Sequence, residues 1–543
     1  MGRRGGAAAD AQLVRARHHV LPDRPGGAVI NLADVFERAA DAVPGRLALV
    51  AGGVRLTYRE LDERANRVAH WLQVQGVRPG EHVGILSWNR AEWLESMIGC
   101  FKARVAPVNV NYRYVERELA DLLGDADCVA LLGEADLLAR APFDGPVLAF
   151  GEPYERALAG VPGGRDFGPR SGDDPYILYT GGTTGLPKGV LWRSEDIYLS
   201  AMSVYSGPIE DVSELCFGPE GLRFQVHAPL MHGNGQWSTW ICLSAGGTVI
   251  LWTGRHFDPS AVLELAERER SQVLSFAGDG MARPVADELG RRPYKLEVFS
   301  VGSGGAPLSA TTRERIRAAL PDAMIVDNYG GSETGAVGAA AEEERPRFAL
   351  GPGFAVLGPD HLPVRPGEQG MLARSGNIPV CYYKDPVKSA STFVTGPDGT
   401  RWALQGDHAI LHEDGTALML GRGSMVINTG GEKVFPEEVE IAVRSHPKVY
   451  DALVVGTPDP LFGQRVTAVV AGEVTLEELA EHCRGRLAGY KIPRPCARRY
   501  RSPDGRDTDP MIRQTRPPST TPVPPAFRAA STPPYRKLSR PYS

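Results

Sequence analysis

A chain of 543 residues is longer than one hydrophobic core organises, so several packed units are expected. Hydrophobic content of 42%, charged content of 23% and a formal net charge of −5 give no excess of positive charge to hold nucleic acid, and a small-molecule enzyme is the default. No uninterrupted apolar run reaches the roughly 18 to 20 residues of a membrane-spanning helix, so a soluble, cytoplasmic protein is expected.

The opening MGRRGGAAADAQLVRARHH carries Arg3-Arg4 without the apolar stretch of a secretory signal, and residues 1–29 read as a disordered extension. From Asn31 onward helical periodicity alternates with short β-branched runs: YRELDERANRVAHWLQ, HVGILS, EWLESMIGCFKA, VAPVNV. That rhythm predicts α/β layers and is expected to continue to about Leu420. Seven scattered cysteines (Cys100, Cys128, Cys216, Cys242, Cys381, Cys483 and Cys496) show no Cys-x-x-Cys spacing, which predicts reduced and mostly buried thiols.

The most informative segment is YTGGTTGLPKG, Tyr179 to Gly189, between the apolar runs YIL and VLW, which predicts strand, loop, strand. Gly181, Gly182 and Gly185 let backbone amides approach phosphate oxygens, Thr180, Thr183 and Thr184 add hydroxyl donors, and Lys188 adds charge. The P-loop alternative fails because Lys188 is followed by glycine, not by the Ser or Thr that places magnesium. The segment resembles the phosphate loop of the adenylate-forming superfamily of acyl-CoA synthetases, luciferases and peptide-synthetase adenylation domains, with Gly181 where serine is common.

The remaining motifs of that superfamily follow in order. HAPLMHGNGQW, residues 227–237, resembles the segment beside the acyl pocket, implying His232 near the carboxylate, Trp237 as a wall, and room for a long or bulky chain at Gly233 and Gly235. GSGGAP, 302–307, resembles the turn against adenine (Gly304, Gly305, Ala306). DNYGGSETG, 327–335, resembles the segment whose aromatic stacks near the base, whose hydroxyl meets phosphate and whose glutamate holds Mg2+; Tyr329, Ser332 and Glu333 take those roles, with Asp327, Asn328, Gly330 and Gly331 beside them. A carboxylate suits that hard, oxygen-seeking ion. Gln405-Gly406-Asp407 and Arg422 resemble the ribose-binding positions. Thr184, Lys188, His232 and Glu333 are thus the expected catalytic residues.

Near Leu420 the order of elements changes, and the main boundary is expected there. Ser424 matches the superfamily's hinge, and Gly430-Gly431-Glu432 resembles the loop lining the pantetheine channel of coenzyme A. Pro436 with Glu437 and Glu438 predicts a helix start, ending near His446-Pro447; the strands ALVVG and RVTAVVA follow. Thr475 and Glu478 stand at capping-box spacing before a stripe of Leu476, Leu479, Cys483 and Leu487. The resemblance implies an α/β fold: a large N-terminal domain, 30–420, of two α/β subdomains plus a β-rich piece, and a small mobile α+β lid, 421–495.

The implied reaction is ATP-dependent formation of an acyl-adenylate from a carboxylic acid, then of a CoA thioester. The stretches around 227–237 and 421–440 look like actinobacterial fatty-acid and steroid side-chain CoA ligases, implying medium-to-long or polycyclic acids. Two alternatives stay open: an acyl-AMP ligase loading a carrier protein, and a disabled nucleotide-binding remnant. The second arises because residues 501–543 hold ten prolines and no acid after Asp509, so 496–543 reads as a disordered tail of the kind a frameshift leaves. In SPDGRD, Arg506 stands where relatives carry the adenylating lysine, and the only later lysine is Lys537.

Overall fold

A computed structural model describes residues 30–180, 187–203, 221–306, 308–339, 347–429, 432–459 and 463–495. The expected terminal extensions, 1–29 and 496–543, lie outside the described residues, as do Cys216 and Cys496. Cys100, Cys242, Cys381 and Cys483 are buried free thiols, and Cys128 is a free, half-buried one.

Two largely parallel sheets build the N-terminal part. The larger runs in the order Gly335–Ala339, Met324–Gly331, Ser300–Gly304, Val273–Phe276, Arg223–Val226, Thr248–Leu251, Leu47–Ala51, Val54–Thr57, with antiparallel strands only at its edges. The smaller pairs Ala106–Asn109, His82–Leu86, Cys128–Gly133 and Val147–Ala149, all parallel. Strands such as HVGIL and TVIL are buried along their whole length, because a parallel sheet is covered on both faces.

The periodic segments form the helices between these sheets. Tyr58–Val74 starts at a complete capping box of Thr57 and Glu60 and buries Leu61, Ala65, Val68, Ala69 and Leu72. Together with Leu32–Ala42 and Ala91–Lys102 it shares one core with Leu49 and Val249 of the large sheet and Val83, Ile85 and Leu132 of the small one. Each such aliphatic contributes about 1.5–3 kcal/mol by leaving water. Lys102 is fully buried in the same layer and is held by Glu37 and by Asp62 at 2.7 Å, so the helices are locked by charge as well as by packing.

The α/β rhythm stops at Ala339 and does not run on to Leu420. Residues 347–422 form a six-stranded, mainly antiparallel sheet with one short helix, Pro386–Thr392. Its strands are separated by the turns PGEQG, PDGT and EDGT, whose Gly, Pro and Asp reverse the chain too soon for helices to intervene.

The C-terminal part is a smaller α+β unit with its own core of Ile427, Val434, Val439, Val443, Val454, Val466, Leu479 and Cys483. Pro436 opens the helix Pro436–Arg444, and the strands Val449–Asp459 and Gly463–Gly472 are longer than their apolar centres. Helix Leu476–Arg484 has the expected capping box of Thr475 and Glu478, but Leu476 stays 47% exposed while Leu479, Cys483 and Leu487 are buried. Among the described residues no helix is long and apolar enough to cross a membrane.

Candidate active site

In an open parallel sheet the carboxyl ends of the strands leave a crevice for ligands. Val226, Phe276, Gly304 and Asn328 lie at those ends of the large sheet and Asn109 at that of the small one. The expected strand, loop, strand is present: Pro175–Thr180 pairs antiparallel with Lys188–Arg193, and Thr180 opposes Lys188. Gly181, Gly182, Thr183, Thr184 and Gly185 lie outside the described residues.

Lys188 is the first residue of the second strand, its Nζ 2.7 Å from Asp385 Oδ2 and 5.9 Å from the Tyr382 ring centre. Burial acts to raise the Asp385 carboxyl, but hydrogen bonds from Lys188 Nζ and the Lys388 N–H outweigh it and hold it below the usual carboxylate range. The Tyr382 hydroxyl donates to Glu333 Oε1 at 2.7 Å. Lys188 and Glu333, far apart in sequence, therefore meet on one tyrosine. The turn bearing Glu333 is pinned by Trp192 Nε1, which donates to Ser332 C=O at 2.9 Å, and by Arg374 on Thr334 C=O.

A second cluster joins the large sheet to the β-rich one. The Tyr329 hydroxyl donates to Asp407 Oδ2, and the Thr334 hydroxyl to Gln405 Oε1. Asp407 is buried and opposes Arg422 directly across two antiparallel strands; the Arg422 backbone alone is described. Gly331 permits this closeness, since a Cβ there would stand 2.2 Å from Gln405 Nε2.

Asp327, on the same strand as Tyr329, serves the framework. Its Oδ2 accepts from Arg313 Nη2 at 2.6 Å and from the Leu308 N–H at 3.2 Å. Burial, helped by Asp279, pushes its carboxyl up to about 6 against the pull of Arg313 and Leu308. Gly304 C=O accepts from Asn234 Nδ2 at 2.9 Å, and the same amide reaches Phe276 C=O at 3.1 Å, so Asn234 ties the helix Gly233–Ser244 to the turn carrying Gly305 and Ala306. Pro307 lies outside the described residues.

His232 precedes the helix Gly233–Ser244 with an exposed ring, and its basicity is lowered by partial desolvation and by the Arg113 charge. Trp237 packs back on the hairpin of Pro175–Thr180 and Lys188–Arg193, its Nε1 donating to the Tyr176 hydroxyl at 3.2 Å. A Cβ at Gly233 would meet Leu178 at 3.0 Å and Trp237 at 3.1 Å, so Trp237 occupies the room expected there. Gly235 opens no space: a Cβ would lie 2.5 Å from Pro229 C=O, and the residue lets the helix start against its own preceding turn.

A cavity of about 410 Å3 opens elsewhere, between Ala306, Leu308, Arg313 and Asp327 on one side and Leu418, Glu438, Arg444 and Arg486 on the other. Glu432 opens the strand Glu432–Val434 opposite Thr429, whereas Gly430 and Gly431 lie outside the described residues. Ser424 lies in a 3-10 turn, Gly423–Met425, that follows Arg422, and its side chain is not described.

Asn109, Asn234, Tyr382 and Asp385 do not stand out in the sequence. Single Asn and Tyr residues carry no periodic signature, and the one cue at Asp385 is its place before Pro386, which marks a helix cap rather than chemistry.

The α/β fold thus gathers Lys188, Tyr382 and Glu333 in one cluster and Tyr329 with Asp407 in a second. The chain belongs to the AMP-binding enzyme family, whose model matches residues 36–381, with its C-terminal domain matching 438–503. It is 43% identical over 510 residues, 86% of this chain and 92% of the relative, to the medium/long-chain-fatty-acid–CoA/3-oxocholest-4-en-26-oate–CoA ligase of Mycolicibacterium smegmatis. It is also 43% identical to the 3-oxocholest-4-en-26-oate–CoA ligase of Rhodococcus rhodochrous, over 86% of this chain and 91% of that one. Among solved structures, ATP-bound MatB from Rhodopseudomonas palustris superposes with a TM-score of 0.72 at 26% identity, covering 86% of this chain and 94% of the other.

Proposed function

We propose that the chain is an ATP-dependent acyl-CoA ligase acting on medium-to-long-chain or bulky, steroid side-chain-like carboxylic acids. Family membership and near full-length similarity to curated acyl-CoA ligases support the reaction type. The observation that carries the site is the convergence of Lys188, Tyr382 and Glu333 next to the Tyr329–Asp407 pair. On this reading Lys188 is the cation for phosphate oxygens, Glu333 the carboxylate for a metal and Asp407 the acceptor for ribose.

In the first step a substrate carboxylate oxygen attacks the α-phosphorus, the P–O bond to pyrophosphate breaks, and an acyl-adenylate forms. Lys188 and the hydroxyls of Thr180, Thr183 and Thr184 offset the charge that builds on the phosphates, which is electrostatic stabilisation with no proton transfer. Lys188 exchanges Asp385 for phosphate when the nucleotide enters. Asp407 and Arg422 hold the ribose, Tyr329 and Gly304 to Ala306 flank the base, and His232 faces the acid. In the second step the CoA thiol attacks the acyl carbonyl and AMP leaves, with Gly430, Gly431 and Glu432 lining the thiol's path after residues 421–495 rotate about Ser424.

Glu333 suits Mg2+: its carboxylate is oriented by the Tyr382 hydroxyl on Oε1, and a hard carboxylate fits an ion held mostly by nucleotide oxygens and water. When bound, that ion supplies charge neutralisation at the phosphates. A cytoplasmic location accords with these substrates.

A weakened first step is favoured by one sequence observation, Arg506 in the place of the adenylating lysine. The test is AMP release from ATP with a panel of fatty acids and 3-oxocholest-4-en-26-oic acid, with either CoA or a phosphopantetheinyl carrier protein present. CoA thioester is the expected product. Thioester on the carrier alone would make the protein a carrier-loading ligase, and ATP binding without either product would make it a remnant.

A further inference from the structure

Asn109 ends the strand Ala106–Asn109 of the small parallel sheet, but its side chain reaches out of that sheet to the phosphate hairpin. At the opposed pair Tyr179 and Gly189 the backbone groups point outward. Gly189 C=O accepts from the Tyr383 N–H at 2.7 Å, while Tyr179 lies on the edge strand of its three-stranded sheet, with no further strand paired to it among the described residues. The Asn109 carboxamide fills that edge. Its Oδ1 accepts from the Tyr179 N–H at 2.8 Å and its Nδ2 donates to Tyr179 C=O at 2.8 Å. The same Nδ2 also donates to Met231 C=O at 2.7 Å. Two carbonyls require the NH2 and one N–H requires the oxygen, so only one amide orientation satisfies all three. The residue is 5% exposed, so bulk water does not compete for these bonds.

The two segments joined by this amide serve different substrates. Tyr179 stands two residues before the phosphate loop opens at Gly181, and Met231 immediately precedes His232. Both carbonyl oxygens lie within 2.8 Å of one nitrogen, so a single planar group spans the two segments at this end, while Trp237 and Gln236 meet the Tyr176 hydroxyl further back. On the ligase reading, on which this inference rests, one segment holds the nucleotide phosphates and the other faces the acid. We propose that Asn109 is a positioning residue that fixes the distance between the α-phosphate and the attacking carboxylate.

A ligand that occupies one side needs only that side to be intact, whereas the adenylate spans both. Attack requires the reacting atoms about 3–3.5 Å apart, and a displacement of about 1 Å costs on the order of a hundredfold in rate. The effect of losing Asn109 therefore falls on the joined geometry and spares the affinity for either half.

The experiment compares the full chain with Asn109→Asp, which keeps the shape but aims a charge and no donor at two carbonyls, and with Asn109→Ala, which removes the amide without adding charge. Calorimetry measures AMP, dodecanoic acid, and 5′-O-(N-dodecanoylsulfamoyl)adenosine, a stable mimic of the acyl-adenylate. AMP and acid affinities are expected within about threefold of wild type, with mimic affinity at least about tenfold weaker in every variant that retains a cooperative melting transition. Mimic affinity that is unchanged, or that falls by the same factor as AMP affinity, overturns the positioning role and leaves Asn109 a structural brace. A wild-type chain that binds neither AMP nor the mimic overturns the ligase reading itself and this proposal with it.

Discussion

The Tyr329 hydroxyl donates to the Asp407 carboxylate, linking the strand Met324–Gly331 of the large sheet to the strand Arg401–Leu411 of the β-rich sheet. The acceptor proposed for ribose is thus oriented before any nucleotide arrives. Asp407→Ala leaves the Tyr329 hydroxyl and the two ribose hydroxyls without that carboxylate. A charge-assisted hydrogen bond is worth roughly 1.5–3 kcal/mol, so ATP affinity should fall about 10- to 150-fold. Calorimetric titration with ATP checks this, and an unchanged affinity would remove Asp407 from the site.

Glu333→Gln keeps an oxygen to accept from Tyr382, so the turn between Met324–Gly331 and Gly335–Ala339 should survive while the charge for a metal is lost. The expected outcome is loss of magnesium-dependent adenylation at an unchanged melting temperature. Adenylation is followed by pyrophosphate release across a magnesium titration. Near-normal turnover in the variant would clear Glu333 of the metal role.

The Asp327 carboxyl keeps its proton to about pH 6 in the folded chain, against an ordinary value of 3.8, because burial penalises the charged form. A folded-state pKa raised above the unfolded one gives stability that is complete below the unfolded value and is lost as pH rises through the folded one. The contribution of Asp327 to stability should therefore decline between about pH 4 and pH 6, a tenfold difference in proton affinity between the two states being worth about 1.4 kcal/mol. In Asp327→Asn that decline should vanish, with a constant offset from the lost Arg313 pair. Denaturant unfolding of both proteins at pH 4.5 and pH 7 measures the difference; equal pH dependence would show that Asp327 does not carry it.

What is legible in the sequence follows from physics that is local to the chain. The capping box at Thr57 and Glu60, the helix opening at Pro436 and the hairpin around Tyr179 to Gly189 declare themselves because caps, proline and glycine act on adjacent residues. The residues that hold the crevice together act across it. Asn109 reaches Met231, Asn234 reaches Gly304, and Tyr382 reaches Glu333, and no spacing rule connects such pairs. The β-rich sheet reads as a continuation of the α/β rhythm because its short apolar runs look alike whether a helix or a turn follows them. Gly235 reads as space for substrate, but a missing side chain serves equally to admit the backbone of Pro229.

The remaining prediction concerns the adenylating lysine, for which the chain offers Arg506 in SPDGRD, outside the described residues. An arginine keeps the charge, but its broad planar fork does not replace a compact ammonium set between a carboxylate and a phosphate oxygen. The residues proposed for the second half-reaction, Gly430 to Glu432, come before this change in the sequence. The first half-reaction should therefore be slow while the second proceeds. ATP–pyrophosphate exchange should be weak in the wild-type chain, and thioester formation from supplied acyl-adenylate and CoA should be readily measurable. Arg506→Lys should raise the exchange rate if the change of side chain is the whole defect; an unchanged, weak exchange would place the defect in the proline-rich residues that follow. Robust exchange by the wild-type chain would show that Arg506, or another cation such as Lys188, already fills the lysine's role.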